Sequence, residues 1–137
     1  MPNHVTNTIQ LALHDGVDQE AFLKKLRGTG DKEVIDFEAI IPPPDNMFTG
    51  NLGDKEREQC AREGRPNWYE WQCDNWGTKW NAYEQSFEDT GYGVLQVQFD
   101  TAWSPPYPII EALREWEEID YLVGGYVEEG FQSAGVF

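Results

Sequence analysis

The chain has 137 residues, which suits one domain built around one core. Ten Lys and Arg against 25 Asp and Glu give a net charge of −15, which argues against direct contact with nucleic acid or an anionic membrane, since both require positive charge. Six Trp, six Tyr and seven Phe argue against a disordered chain, because each such ring buries roughly 150–250 Å².

Val5, Ile9, Leu11 and Leu13 alternate with Thr6, Thr8 and Gln10, the pattern of a half-buried strand over residues 5–13. Asp18 then caps a helix, with Val17 and Phe22 spaced as a hydrophobic staple. Phe22, Leu23 and Leu26 form its apolar stripe, and Gly28 ends it. Alternation of Ile35, Phe37, Ala39 and Ile41 predicts a second strand over 33–41, stopped by Pro42, Pro43 and Pro44.

An insert follows at about 45–79. It holds a short helix near Lys55 to Arg62, then Trp68, Trp71 and Asn75 at helical spacing. A hairpin is expected next, from Asn81 to Glu88 and from Gly93 to Thr101, turning at Asp89-Thr90-Gly91. Ser104 and Pro105 read as a helix start, with Ile109, Ile110, Leu113 and Trp116 as its buried stripe up to about Glu118. Residues 119–127 read as a last strand, in which Gly124 and Gly125 suggest a bulge or a close backbone approach. This order gives two strand–helix–strand units. The expected fold is an α+β ferredoxin-like sandwich: a single domain over 1–137, a mixed sheet of four or five strands, two helices on one face, and a Trp-rich helical insert.

No stretch approaches the roughly 18 apolar residues of a membrane span, and the N-terminus lacks the pattern of a signal peptide. Cys60 and Cys73 are too few for a disulfide framework. A cytoplasmic protein with reduced thiols is expected. Charge is uneven along the chain. Residues 1–66 carry 8 basic and 12 acidic side chains, whereas residues 67–137 carry 2 basic and 13 acidic ones, a net of −11.

Little points to catalysis or to a metal. His4 and His14 are not at ligand spacing, and Glu128 and Glu129 would point to opposite faces of a strand. There is no Gly-x-Ser-x-Gly elbow, Gly91-x-Gly93 is too short for a phosphate loop, and Cys73 suits a small core residue. No catalytic residue, metal or cofactor is therefore assigned. The residues expected on the open sheet face are Thr8, Gln10, Asp36, Glu38, Gln96, Gln98 and Asp100. They are polar or acidic, which argues against RNA recognition on that sheet.

The strongest local signals are Asn75 to Ala82, where Trp76 and Trp80 flank Lys79, and Phe99 to Pro106, which holds Trp103. The ammonium of Lys79 suits an indole face. Trp76, Trp80 and Trp103 are expected either to form one aromatic cluster pinning the insert to the sheet, or to wall a ligand groove with Lys79 as an anion contact.

These segments, together with Pro2-Asn3, Val5-x-Asn7, Ile41-Pro42, Trp68-Tyr69-x-Trp71 and Tyr126-x-Glu128-Glu129-Gly130, resemble the YubB-type family over nearly the whole chain. His4 departs from it, standing where Trp is expected, and residues 46–66 match nothing placed. The resemblance implies the ferredoxin-like fold and an origin in bacteriophages, plasmids or integrated elements. It implies no reaction.

The expectation is therefore a non-enzymatic accessory protein in the cytoplasm of a bacterial host. It would inhibit a defence system of the anti-CRISPR or anti-restriction type by presenting nucleic-acid-like charge to a basic, nucleic-acid-handling protein or complex. Glu115, Glu117, Glu118, Asp120, Glu128 and Glu129 are its expected contact surface. The alternatives are a small-ligand module or enzyme using the Trp-lined groove, and a self-assembling structural protein.

Overall fold

Period-two alternation at the start of the chain becomes β1 (His4–Leu13), the central strand of a five-stranded sheet. The computed structural model describes residues 3–130 and 133–137, so Pro2 of the N-terminal motif lies outside the described residues. Helix α1 (Gln19–Arg27) starts as the side chains dictate: the Asp18 carboxylate accepts from the N–H groups of Glu20 and Ala21. Its buried stripe is Phe22 and Leu26, and Gly28 closes it at φ 67°.

The expected strand over 33–41 does not form. Val34 and Ile35 lie outside any strand, and Asp36 then caps the short helix α2 (Phe37–Ile40). The apolar spacing suited a strand, but the backbone partner here is a side chain. Gln85 accepts from Val34 and Ile35 N–H at 2.8 and 2.9 Å and donates to the Ile35 carbonyl at 2.9 Å. Asn81 accepts from Phe37 N–H and donates to Asp36. Asp36 is therefore buried beneath this segment, and neither it nor Glu38 belongs to the sheet face.

The insert folds as expected into α3 (Asp54–Glu63) and α4 (Trp68–Trp76), the latter capped by Asn67. The hairpin pairs β2 (Tyr83–Gly91) with β3 (Val94–Ala102). Its turn is Tyr92-Gly93, both at positive φ (56° and 75°), a few residues after the expected Asp89-Thr90-Gly91. Asp89 instead accepts from Gly91 N–H beside a register shift.

Helix α5 (Tyr107–Arg114) begins after Pro106, not at Ser104, whose hydroxyl donates to the Gly77 carbonyl. It also ends before the expected Glu118. Strand β4 (Ile119–Glu128) follows, and β5 (Ala134–Val136), absent from the sequence expectation, adds an edge. Gly124 and Gly125 make a close approach without a bulge. A Cβ on Gly124 would lie 2.2 Å from the Thr8 carbonyl oxygen, so the paired backbone of β1 permits no side chain there.

The strand order is β2-β3-β1-β4-β5. Every pairing is antiparallel, not mixed as expected. Each strand–helix–strand unit does join parallel strands, but a third strand lies between them: β3 separates β1 from β2, and β1 separates β3 from β4. This is the ferredoxin-like arrangement, with α2, α3 and α4 inserted in the first crossover. Ile9, Leu11, Leu95, Val97, Phe99 and Leu122 pack from one sheet face against Phe22, Leu26, Phe37, Trp76, Ile109, Ile110 and Leu113. Four helices share that core where two were expected, because α2 replaces the expected strand and donates Phe37, and the insert donates Trp76.

Candidate functional site

The six expected contact carboxylates do not form one face. Glu115, Glu117, Glu118 and Asp120 lie around the start of β4, and Glu128 and Glu129 lie at its far end, a strand length of roughly 30 Å away. Cations intervene as well. The ammonium of Lys25 on α1 bonds Glu118 at 3.0 Å and stands 4.2 Å over the Trp116 ring, holding the Glu118 carboxyl below its ordinary range. His14 lies 3.8 Å from Asp120, and Asn3 donates to Glu128. An open hollow of about 460 Å³ is lined by Val17, Lys25, Glu115, Trp116, Glu117 and Glu118. Nearness in sequence suggested a common patch, but a ten-residue strand carries its two ends apart.

The three tryptophans also part company. Trp76 is 1% exposed, packs edge-on against Phe37 and Trp71, and donates its indole N–H to the Ile41 carbonyl at 2.9 Å. It is the residue that pins the insert to the sheet. Trp80 is 39% exposed, and the Lys79 ammonium sits 4.3 Å above its ring, as expected. Its ring meets Tyr83, which in turn meets His4. Trp103 is 54% exposed at the corner after β3. One core ring and two surface rings make neither a single cluster nor the walls of one groove.

The two strongest motifs do meet, at a buried polar junction. Asn7 is fully buried and donates toward the carbonyls of Val5 and Phe99 and to the Thr101 hydroxyl. Thr101 donates to Ser104, Ser104 to Gly77, and Thr78 to Ala102. These bonds lock the end of α4 to the corner entering α5. Gly77, at φ 82°, leaves no room for a Cβ, which would lie 2.7 Å from Pro108 Cδ. The motif residues thus do structural work.

Among the described residues, no element covers the face of the sheet away from the helices. Register fixes its rows: Glu88, Gln96, Gln10 and Val123; then Ser86, Gln98, Thr8, Gly125 and Val136; then Tyr83, Asp100, Thr6, Val127 and Ala134. Thr8, Gln10, Gln96, Gln98 and Asp100 lie where the sequence placed them. The rows run from polar and acidic on β2 and β3 to apolar on β4 and β5, where Tyr121, Val123 and Val136 are exposed. Sequence reasoning missed this gradient, since it exists only once strands from both halves of the chain are paired.

Charge divides by layer. No strand contains Lys or Arg; all ten stand on α1, α3, α5 and the loops. The strands contain Glu84, Glu88, Asp89, Asp100, Asp120 and Glu128. Near the end of the open face, the Tyr83 hydroxyl lies 2.6 Å from His4 Nδ1. Burial raises the Tyr83 pKa, and the charges of Asp100 and Glu129 add to that. The Cys73 thiol is likewise pushed up by burial, which makes it a poor nucleophile. Among the described residues, no group of three or more His, Cys, Asp or Glu is placed to hold a metal ion. No helix among them is long and apolar enough to cross a membrane.

No curated protein and no solved structure matched the chain. Residues 75–136, which hold β2, β3, α5, β4 and β5, match a family described as a ferredoxin-like domain in Api92-like protein. That match leaves β1, α1 and most of the insert outside it, and the chain is thus similar to this family over its C-terminal ferredoxin-like segment.

Proposed function

We propose that this protein is a non-enzymatic, acidic accessory protein of a phage or other mobile element, and that it acts by binding a basic, nucleic-acid-handling host protein. Inhibition of a defence complex of the anti-CRISPR or anti-restriction type is the role that suits this chemistry. The observation that carries the reading is the separation of charge. A net −15 accompanies a sheet whose strands hold no Lys or Arg, so the strands themselves offer carboxylates, amides and hydroxyls with no cation in their sequence. Such a surface attracts a protein that normally grips phosphate and repels nucleic acid itself.

The groove reading has lost its geometry, because Trp76 is interior while Trp80 and Trp103 face solvent. The test is competition: the full chain is titrated into a purified CRISPR effector or restriction enzyme already holding duplex DNA. Displacement of the DNA that weakens as salt rises is the expected result. Absence of binding to these basic proteins, or an affinity indifferent to salt, overturns the reading.

A further inference from the structure

The contact surface of the reading above follows from how the sheet is covered. Helices occupy one face of the sheet and carry seven of the ten Lys and Arg, including Lys24, Lys25 and Arg27 on α1. Among the described residues, no element covers the opposite face. From it, and resting on that reading, we infer that the uncovered sheet face is the docking surface. Its occupant is a protein segment that sets apolar side chains on β4 and β5 and Lys or Arg on β2 and β3.

Three features select this occupant. First, Val123 on β4 and Val136 on β5 are exposed on neighbouring outward rows, Val136 at 81%, and Tyr121 extends the patch along β4. Apolar side chains in adjacent strands form a contact that covering would stabilise. Second, Asp100 and Glu88 stand on the same face, two and three strands from β4, and among the described residues neither forms a salt bridge. They leave positive charge to be supplied from outside. Third, the centre of the face is Thr8, Gln10, Gln96 and Gln98, which can donate or accept and carry no charge to desolvate.

Two other occupants fit less well. A nucleic acid strand would meet no cation on this face. A second copy of this chain would match the apolar half but set like charges together at Glu88 and Asp100. The corner at Glu115, Glu117 and Glu118 is also a poorer surface, because Lys25 already neutralises Glu118.

The test uses the full chain and an alternating Leu-Lys peptide as the probe, with amide NMR shifts and affinity measured together. Shifts at Thr8, Gln98 and Val123 are expected. Gln98→Lys and Val123→Lys, both solvent-facing and tolerant of a long side chain, should each weaken binding about tenfold. Thr8→Arg serves as a further variant on the central strand. Glu115→Lys and Glu117→Lys should change it less than about threefold, since they lie off the face. If the peptide binds and the sensitivities are reversed, the surface is wrong while the basic-partner reading stands. Absence of binding at low salt overturns both. Self-association of the free chain that Val123→Lys abolishes shows the face to be an interface between copies, and overturns this inference alone.

Discussion

The Gln85 side-chain amide clasps the backbone of Ile35 at both polar atoms, accepting its N–H and donating to its carbonyl, each at 2.9 Å. These residues are fifty positions apart in sequence. The clasp does for one residue what a neighbouring strand does along a ladder. A register shift frees Gln85 to do so: between Tyr83 and Ser86 the pairing of β2 with β3 slips, and Glu84 takes φ 49°.

Removing that amide should therefore cost more than its location at an edge strand implies. Gln85→Ala leaves the N–H groups of Val34 and Ile35 without their partner beneath the core residue Ile35, at a cost of about 2 kcal/mol or more in urea denaturation. Gln85→Glu keeps the acceptor but loses the donations to the Ile35 and Ala82 carbonyls, and should fall between. A loss below about 0.5 kcal/mol for Gln85→Ala would show that the clasp contributes little.

The two best-marked tryptophans should separate cleanly in melting experiments. Trp76→Ala removes a side chain 1% exposed, together with its bond to Ile41, and should cost about 3–5 kcal/mol. Trp80→Ala removes a half-exposed ring and its contact with Lys79, at a cost of about 1 kcal/mol or less. Equal losses would mean that Trp80 belongs to the core.

At Gly124 the obstacle is backbone, not a movable side chain. A Cβ would meet the Thr8 carbonyl oxygen at 2.2 Å and Ile9 Cα at 2.8 Å. Gly124→Ala should force β1 and β4 apart and cost about 4 kcal/mol. Gly64→Ala meets no atom within 4 Å and opposes only φ 65°, so about 1 kcal/mol is expected in the same urea series.

The Lys25–Glu118 pair gives a pH signature of known sign. The hydrogen bond from Lys25 lowers the Glu118 pKa below its unfolded value. Its contribution is thus fully present above the ordinary glutamate range and is lost as pH falls through the lowered folded value. The pair is partly exposed, so Glu118→Gln should cost about 1 kcal/mol or less at neutral pH. The variant and the natural chain should then converge in stability as the medium is acidified below about pH 4. A difference that grew with acidity would reverse the assignment.

Local side-chain chemistry made much of this fold legible in advance. Asp18 caps its helix because its carboxylate reaches nearby N–H groups. The alternation of β1 survives because one face is buried and the other is not. The segment 33–41 was not legible in this way. Ile35 and Phe37 become buried whether the chain continues as a strand or turns into α2, so hydrophobic spacing cannot choose between them. Asp36, Asn81 and Gln85 make the choice by hydrogen bonding, two of them from far along the chain. The turn at Tyr92-Gly93 misled for a related reason. Asp89-Thr90-Gly91 carries turn chemistry, and the structure uses it for the register shift beside the turn.

The amino-acid order alone settled the excess of negative charge, the α+β ferredoxin-like character, and the polarity of the strands' outward residues, because these depend on composition and on neighbours a few positions apart. Tertiary structure decided which charges act together. Antiparallel pairing set residues of β1 and β4 side by side, carried Glu115 and Glu129 to opposite ends of a strand, and confined every cation to the helices and loops. Electrostatic and apolar surfaces are sums over distance in space, and only folding fixes those distances.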